Sequence, residues 1–216
     1  MSANTNLMPI PGPVDPVPVR RAPAARADGL TELVGQSKEQ IRAVLEAGGL
    51  DAKAAKLRAK QLWHWIYHRG MSDFAAMTDI AKAQRGWLAE HFIITRPEVV
   101  EAQVSTDGTR KWLLRTHDGH DYEMVFIPDA DRGTLCVSSQ VGCTLNCTFC
   151  HTGTMKLVRN LDPAEIVGQV MLARDSLGEW PREGEAQSDS SYTSDGRMLT
   201  NIVMMGMGEP STISTM

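Results

Sequence analysis

Thr134-Leu-Cys-Val-Ser-Ser-Gln-Val-Gly-Cys143-Thr-Leu-Asn-Cys147-Thr-Phe-Cys150 is the stretch on which the fold turns. Its first residues, Thr134–Ser138, read as a short apolar strand. Downstream, Asp162, Pro163 and Glu165 supply the N-cap, first and third positions of a helix that runs to about Leu177. Thr200–Met205 is then apolar at consecutive positions, the pattern of a parallel strand covered on both faces. Strand, helix and strand make a βαβ unit, which predicts an α/β fold with a parallel sheet or barrel.

After the first strand the cysteines follow C-x3-C-x2-C spacing, at Cys143, Cys147 and Cys150. A closed structural zinc site wants four ligands. His151 is the nearest fourth donor, but it directly follows Cys150 and adjacent ligands are geometrically awkward. An ordinary electron-transfer cluster also wants four thiolates. Three thiolates suggest a 4Fe-4S cluster with one iron open to an outside ligand. Zinc, or plain buried cysteines, are the alternatives.

Outward from this loop, composition sets bounds. The chain has 216 residues, 42% hydrophobic and 22% charged, which excludes collagen-like and wholly disordered readings. There is no run of 18 apolar residues, so no membrane helix is expected. Met1–Ala27 lacks the apolar core of a secretory signal. A net charge of −4 excludes a uniformly basic nucleic-acid binder but leaves room for local basic patches. All four cysteines, Cys136 included, fall within 15 positions, which without an export signal favours metal or redox chemistry over a disulfide framework.

Residues 1–27 carry six of the 11 prolines, with Arg20, Arg21 and Arg26, and read as a disordered tail or a basic arm. Residues 28–95 read as helical. Ser37 and Gln40 form a capping-box signature, and that helix stops at Gly48-Gly49. Asp51 caps a second helix, Ala52 to Arg69, whose expected buried stripe is Leu57, Leu62, Trp65 and Ile66. A third is expected over Asp79–Phe92. Between Lys53 and Arg69 stand five Lys or Arg and two His, interleaved with Trp63, Trp65 and Tyr67 and with no acidic residue. Such a mixture suits RNA, since cations meet phosphates and rings stack on bases. The plainer reading is a core stripe with a solvated basic back. Residues 96–130 read as a small antiparallel β section, its hairpins turning at Asp107-Gly108 and Asp118-Gly119. Residues 178–197 are polar and read as a surface loop.

C-x3-C-x2-C with Phe149 before the last cysteine resembles the signature of radical S-adenosylmethionine enzymes. The resemblance implies an open iron that binds the amino and carboxylate groups of S-adenosylmethionine, and a 5′-deoxyadenosyl radical formed from it. Gly206-Met-Gly-Glu-Pro210 resembles the loop that holds the methionine amino group, with glycines for close backbone approach and Glu209 as ammonium acceptor. Both motifs fall at C-terminal ends of strands, where α/β barrels place their chemistry.

At finer grain, Thr134–Cys143, Asn160-Leu161, Glu165–Gln169 and Asn201–Pro210 resemble the RlmN methyltransferases. That implies methylation of carbon 2 of adenosine in 23S rRNA and tRNA. It implies the N-terminal part of a partial (β/α) radical SAM barrel over residues 131–216, preceded by an RNA-binding accessory domain. By the same resemblance Glu123 is the proton acceptor, Cys136 the resolving cysteine that closes a disulfide to release product, and Gly208 and Glu209 cofactor contacts. A cytoplasmic monomer with an external electron donor and no membrane partner is implied. The family's methyl-carrying cysteine has no counterpart after Cys150, and the pattern departs after Pro210 into Ser211–Met216. A truncated, inactive product is therefore the expectation. The sister activity at carbon 8 and a noncatalytic RNA-binding remnant are the rival readings.

Overall fold

A computed structural model describes residues 29–129, 132–181 and 198–213. The proline-rich tail and most of the 178–197 loop lie outside the described residues.

The chain opens with β1 (Thr31–Glu32), α1 (Lys38–Ala47) and α2 (Ala52–Trp63). Ser37 and Gln40 close the expected capping box on α1, with Gln40 N donating to Ser37 Oγ at 3.2 Å and Ser37 N to Gln40 Oε1 at 2.7 Å. Asp51 caps α2 by accepting from Lys53 N and Ala54 N. The buried face of α2 is Ala55, Ala59 and Leu62, continued by Ile66. Leu57 is 56% exposed and does not belong to it, and Trp65 is only half-buried. Two alanines, small enough to let α1 approach, occupy the stripe instead. A π-helical turn, His64–His68, extends α2 as far as the expected end at Gly70. After a 3₁₀ turn at Phe74–Ala76 come α3 (Lys82–His91) and β2 (Phe92–Ile93), which pairs parallel with β1. The third helix starts later than Asp79, because that carboxylate accepts from Trp65 Nε1 and Gln61 Nε2 rather than capping.

β3 (Glu98–Val104), β4 (Arg110–Arg115), β5 (Asp121–Asp129) and β6 (Arg132–Cys136) then form an antiparallel run. β7 (Gln140–Val141) and β8 (Arg159–Asn160) bracket the cysteine loop, and α4 (Pro163–Leu177) follows. β9 (Asn201–Val203) returns parallel to β6, as the βαβ reading requires. The sheet order is β3-β4-β5-β6-β9, without a break between the antiparallel strands and the βαβ unit.

α4 begins with an Asp162–Glu165 capping box and Pro163, and ends at Gly178 in the left-handed region. It packs on both hydrophobic clusters. Ala164, Val167 and Met171 join the helical cluster around Ile41, Leu62 and Leu88. Ile166, Val170, Ala173 and Leu177 meet the sheet's Trp112, Phe126 and Leu135. β9 differs from expectation. Its strand is shorter than Thr200–Met205, and Ile202 and Met205 are 53% and 79% exposed rather than covered. It is the outer strand of the described sheet, with no neighbour beyond it to supply cover.

Candidate active site

Strand alternation sorts the sheet into two faces. Tyr122, Met124, Phe126 and Leu135 are buried on the side that α4 covers. Glu123, Val125 and Cys136 therefore lie on the opposite side. Val125 is directly across from Cys136, so Glu123 sits two residues, about 7 Å, along the neighbouring strand. Glu123 pairs with Lys111 Nζ at 2.7 Å and is half-exposed. Burial pushes the Cys136 thiol up, which keeps it protonated.

Past Cys136 the chain turns into the cysteine loop. Cys143, Cys147 and Cys150 are all free and half-buried. The donors around them suit thiolate ligands. Leu145 N donates to Cys143 Sγ at 3.4 Å. Hydrogen bonds from Gly153 and Thr152 hold the Cys150 thiol below its ordinary range. Three thiolates beside main-chain donors fit an iron–sulfur corner.

The Gly206–Pro210 loop leaves β9 beside this turn and is tied to it by main chain. Gly206 N donates to Val137 O at 3.0 Å, and Ser139 N to Met207 O at 2.8 Å. Gly208 has φ +101°, and a Cβ there would stand 2.5 Å from Gln140 Cβ, so both backbone angle and space demand glycine. Glu209 accepts from Ser211 N and Ser211 Oγ, which lowers its carboxyl and keeps it ionised.

Sequence reasoning missed the residues that tie these pieces together. Ser138 Oγ donates to Glu123 O and accepts from Met207 N, joining β5 to the Gly206–Pro210 loop. Gln169 on α4 brackets Ser138, accepting from its N at 2.8 Å and donating to its O at 3.0 Å. The available signal was three consecutive polar residues, Ser138-Ser139-Gln140, inside an apolar run, all buried.

A second titratable cluster lies on the α4 side. His117, Asp162 and Glu165 place ligand atoms within 4.8 Å of one another. Glu165 is already held by Arg159 through both oxygens, at 2.7 Å each. Arg159 also pairs with Asp118, holding that carboxyl well below the usual range. A cation here would face both Arg159 and the positive end of α4. The cluster acts as a clamp on the helix start. It borders a cavity of about 600 Å³ that Tyr122 also lines.

Comparison with known proteins agrees with this geometry. The family description "Ribosomal RNA large subunit methyltransferase N-terminal domain" matches residues 31–94. A dual-specificity RNA methyltransferase RlmN of Novosphingobium aromaticivorans is 69% identical, covering 94% of this chain and 50% of the relative. The RlmN of Rhizorhabdus wittichii is 72% identical, over 94% of this chain and 48% of the relative. Over nearly all of its length the chain is similar to RlmN methyltransferases. It spans about half the length of these RlmN relatives. The radical SAM methyltransferase of Sphaerobacter thermophilus superposes with TM-score 0.68 at 39% identity, over 84% of this chain and 48% of that one. The fold is thus part of a radical SAM α/β fold, as the RlmN resemblance implied.

Proposed function

We propose that the chain supplies the radical S-adenosylmethionine centre for methylating carbon 2 of adenosine in 23S rRNA and tRNA. One observation carries this reading. The cysteine loop and the Gly206–Pro210 loop meet at the C-terminal ends of the neighbouring parallel strands β6 and β9. Cys143, Cys147 and Cys150 hold a 4Fe-4S cluster, and Gly208 with ionised Glu209 receives the methionine end of the cofactor. When bound, the cluster supplies the electron that cleaves S-adenosylmethionine.

The chain's own residues do the rest. Glu123 takes a proton at its carboxylate, and Lys111 keeps that carboxylate on the open face of the sheet. Cys136 stays a thiol in its half-buried setting until a second cysteine engages it. No cysteine follows Cys150 in these 216 residues, so methyl transfer is not expected from them alone. Residues 28–95 dock RNA. Exposed Lys53, Lys56 and Lys60 on α2, and Lys38 and Arg69 over the rings of Trp63 and Trp65, support that role. The division into a tail (1–27), accessory domain (28–95), β section (96–130) and core (131–216) belongs to the same proposal. So does a cytoplasmic monomer served by an outside electron donor. Among the described residues no helix is long and apolar enough to cross a membrane.

The test is anaerobic reconstitution with iron and sulfide, then S-adenosylmethionine and dithionite. A visible cluster band and release of 5′-deoxyadenosine are expected, both lost in C143A, C147A and C150A. Stoichiometric zinc in place of iron overturns the reading. Methyl transfer to a 23S rRNA fragment by the 216 residues alone overturns the expectation that a further cysteine is required.

A further inference from the structure

We propose that Gln140 is a positioning residue whose amide fixes the cofactor loop against the cysteine loop; its bearing on S-adenosylmethionine rests on the function proposed above. Gln140 is 0% exposed, three residues before Cys143. A buried glutamine amide has an acceptor oxygen and two N–H donors to satisfy. Here every one has a partner, and the partners lie on different segments. Oε1 accepts from Glu209 N at 3.0 Å. Nε2 donates to Asn160 Oδ1 at 2.9 Å and to Thr212 Oγ1 at 3.3 Å. The Gln140 main-chain N–H donates to Met207 O at 3.2 Å.

One side chain thus reaches β8, where the chain returns from the cysteine loop, the Gly206–Pro210 loop, and the 3₁₀ turn Pro210–Thr212. Thr212 Oγ1 lies 3.1 Å from Thr144 Oγ1, inside the cysteine loop, which closes the circuit. The bond to Glu209 is made to its amide, so the Glu209 carboxylate is aimed without being consumed. A side chain that only filled space would need volume and no directed amide. Leucine has nearly that volume and lacks the amide, so Q140L separates the two roles.

Wild-type, Q140L and T212V chains are reconstituted with cluster, and S-adenosylmethionine affinity is measured by equilibrium dialysis and by the shift it causes in the reduced-cluster EPR signal. Amide exchange at Glu209 is followed in the cluster-free proteins. For Q140L the proposal expects unchanged iron content, affinity weakened tenfold or more, and Glu209 exchange accelerated tenfold or more while Phe126 exchange stays put. T212V gives smaller changes in the same direction and guards against misfolding of Q140L. Wild-type affinity and Glu209 protection in Q140L overturn the role of Gln140. So does iron loss in parallel with affinity, which marks a general packing role. A wild-type chain that takes up cluster but no S-adenosylmethionine overturns the reading of the site, and with it the cofactor role assigned to Gln140.

Discussion

Tyr122 is 1% exposed, and its hydroxyl makes no hydrogen bond among the described residues. Burial and then the charges of Glu165 and Asp162 raise its pKa, so the phenol stays neutral. A buried hydroxyl without a partner carries a desolvation cost. Tyr122→Phe should therefore leave stability unchanged or raise it by up to about 1 kcal/mol, by urea unfolding. A loss larger than that would reveal a bond in solution. Asp118 makes the opposite kind of contribution. Its hydrogen bond from Arg159 lowers the folded-state pKa and favours the carboxylate, so it stabilises above the ordinary carboxylate range of about 4. That stability goes as pH falls through the lowered folded value. Asp162 has the reverse sign, because burial and the Glu165 charge raise it, and its ionisation costs the folded state. D118N should lower Tm at pH 7 and flatten its decline below about pH 4. An acid limb parallel to wild type would contradict this. At this scale Cys143, Cys147 and Cys150, and Gly206 with Gly208, were legible as a spacing and a motif. Ser138 and Gln140 were not, since their partners stand 69 residues away in sequence.

Helix α2 shows what periodicity can decide and what it leaves open. Its ends were legible, because Asp51 and Gly70 are local punctuation. Of its expected stripe Leu62 and Ile66 are buried but Leu57 is not: Leu57 outranks alanine in hydrophobicity, while the period runs through Ala55, Ala59, Leu62 and Ile66. Leu62→Ala should cost roughly 2–5 kcal/mol. Leu57→Ala should stay within about 0.5 kcal/mol. Chemical denaturation of both variants checks the assignment, and equal losses would refute it. β9 is the corresponding case among strands. Its existence and parallel pairing followed from the βαβ rhythm, but cover depends on neighbours that no local pattern encodes.

The molecule holds together through α4, which gives one side to the helical cluster and another to the sheet. Gly35 marks how close that contact is. At φ +80° its missing Cβ would lie 2.5 Å from Ala164 N. Arg96 adds a tie, bonding Asp175 at the far end of α4 and the carbonyl of Gly70. The two clusters should open as one unit, with amides of Leu62 and Phe126 sharing one opening free energy in native-state exchange. Gly35→Ala should cost at least about 1–3 kcal/mol in backbone strain and split those two values. Unsplit values would mean that Arg96 and its neighbours suffice to couple the clusters.

The span between β6 and β9 also sets an order in time. The cysteine loop is closed by near neighbours, Gln140 with Asn160 and Cys143 with Lys156. The Gly206–Pro210 loop waits for partners 69 residues earlier. Closing the longer loop costs more chain entropy, and on the ribosome its residues emerge after the cysteine loop. The thiols are therefore presented before the Gly206–Pro210 loop is tied to the strand end ahead of them. For a new chain the hazardous interval is this one, when oxygen and stray metals reach the thiols first.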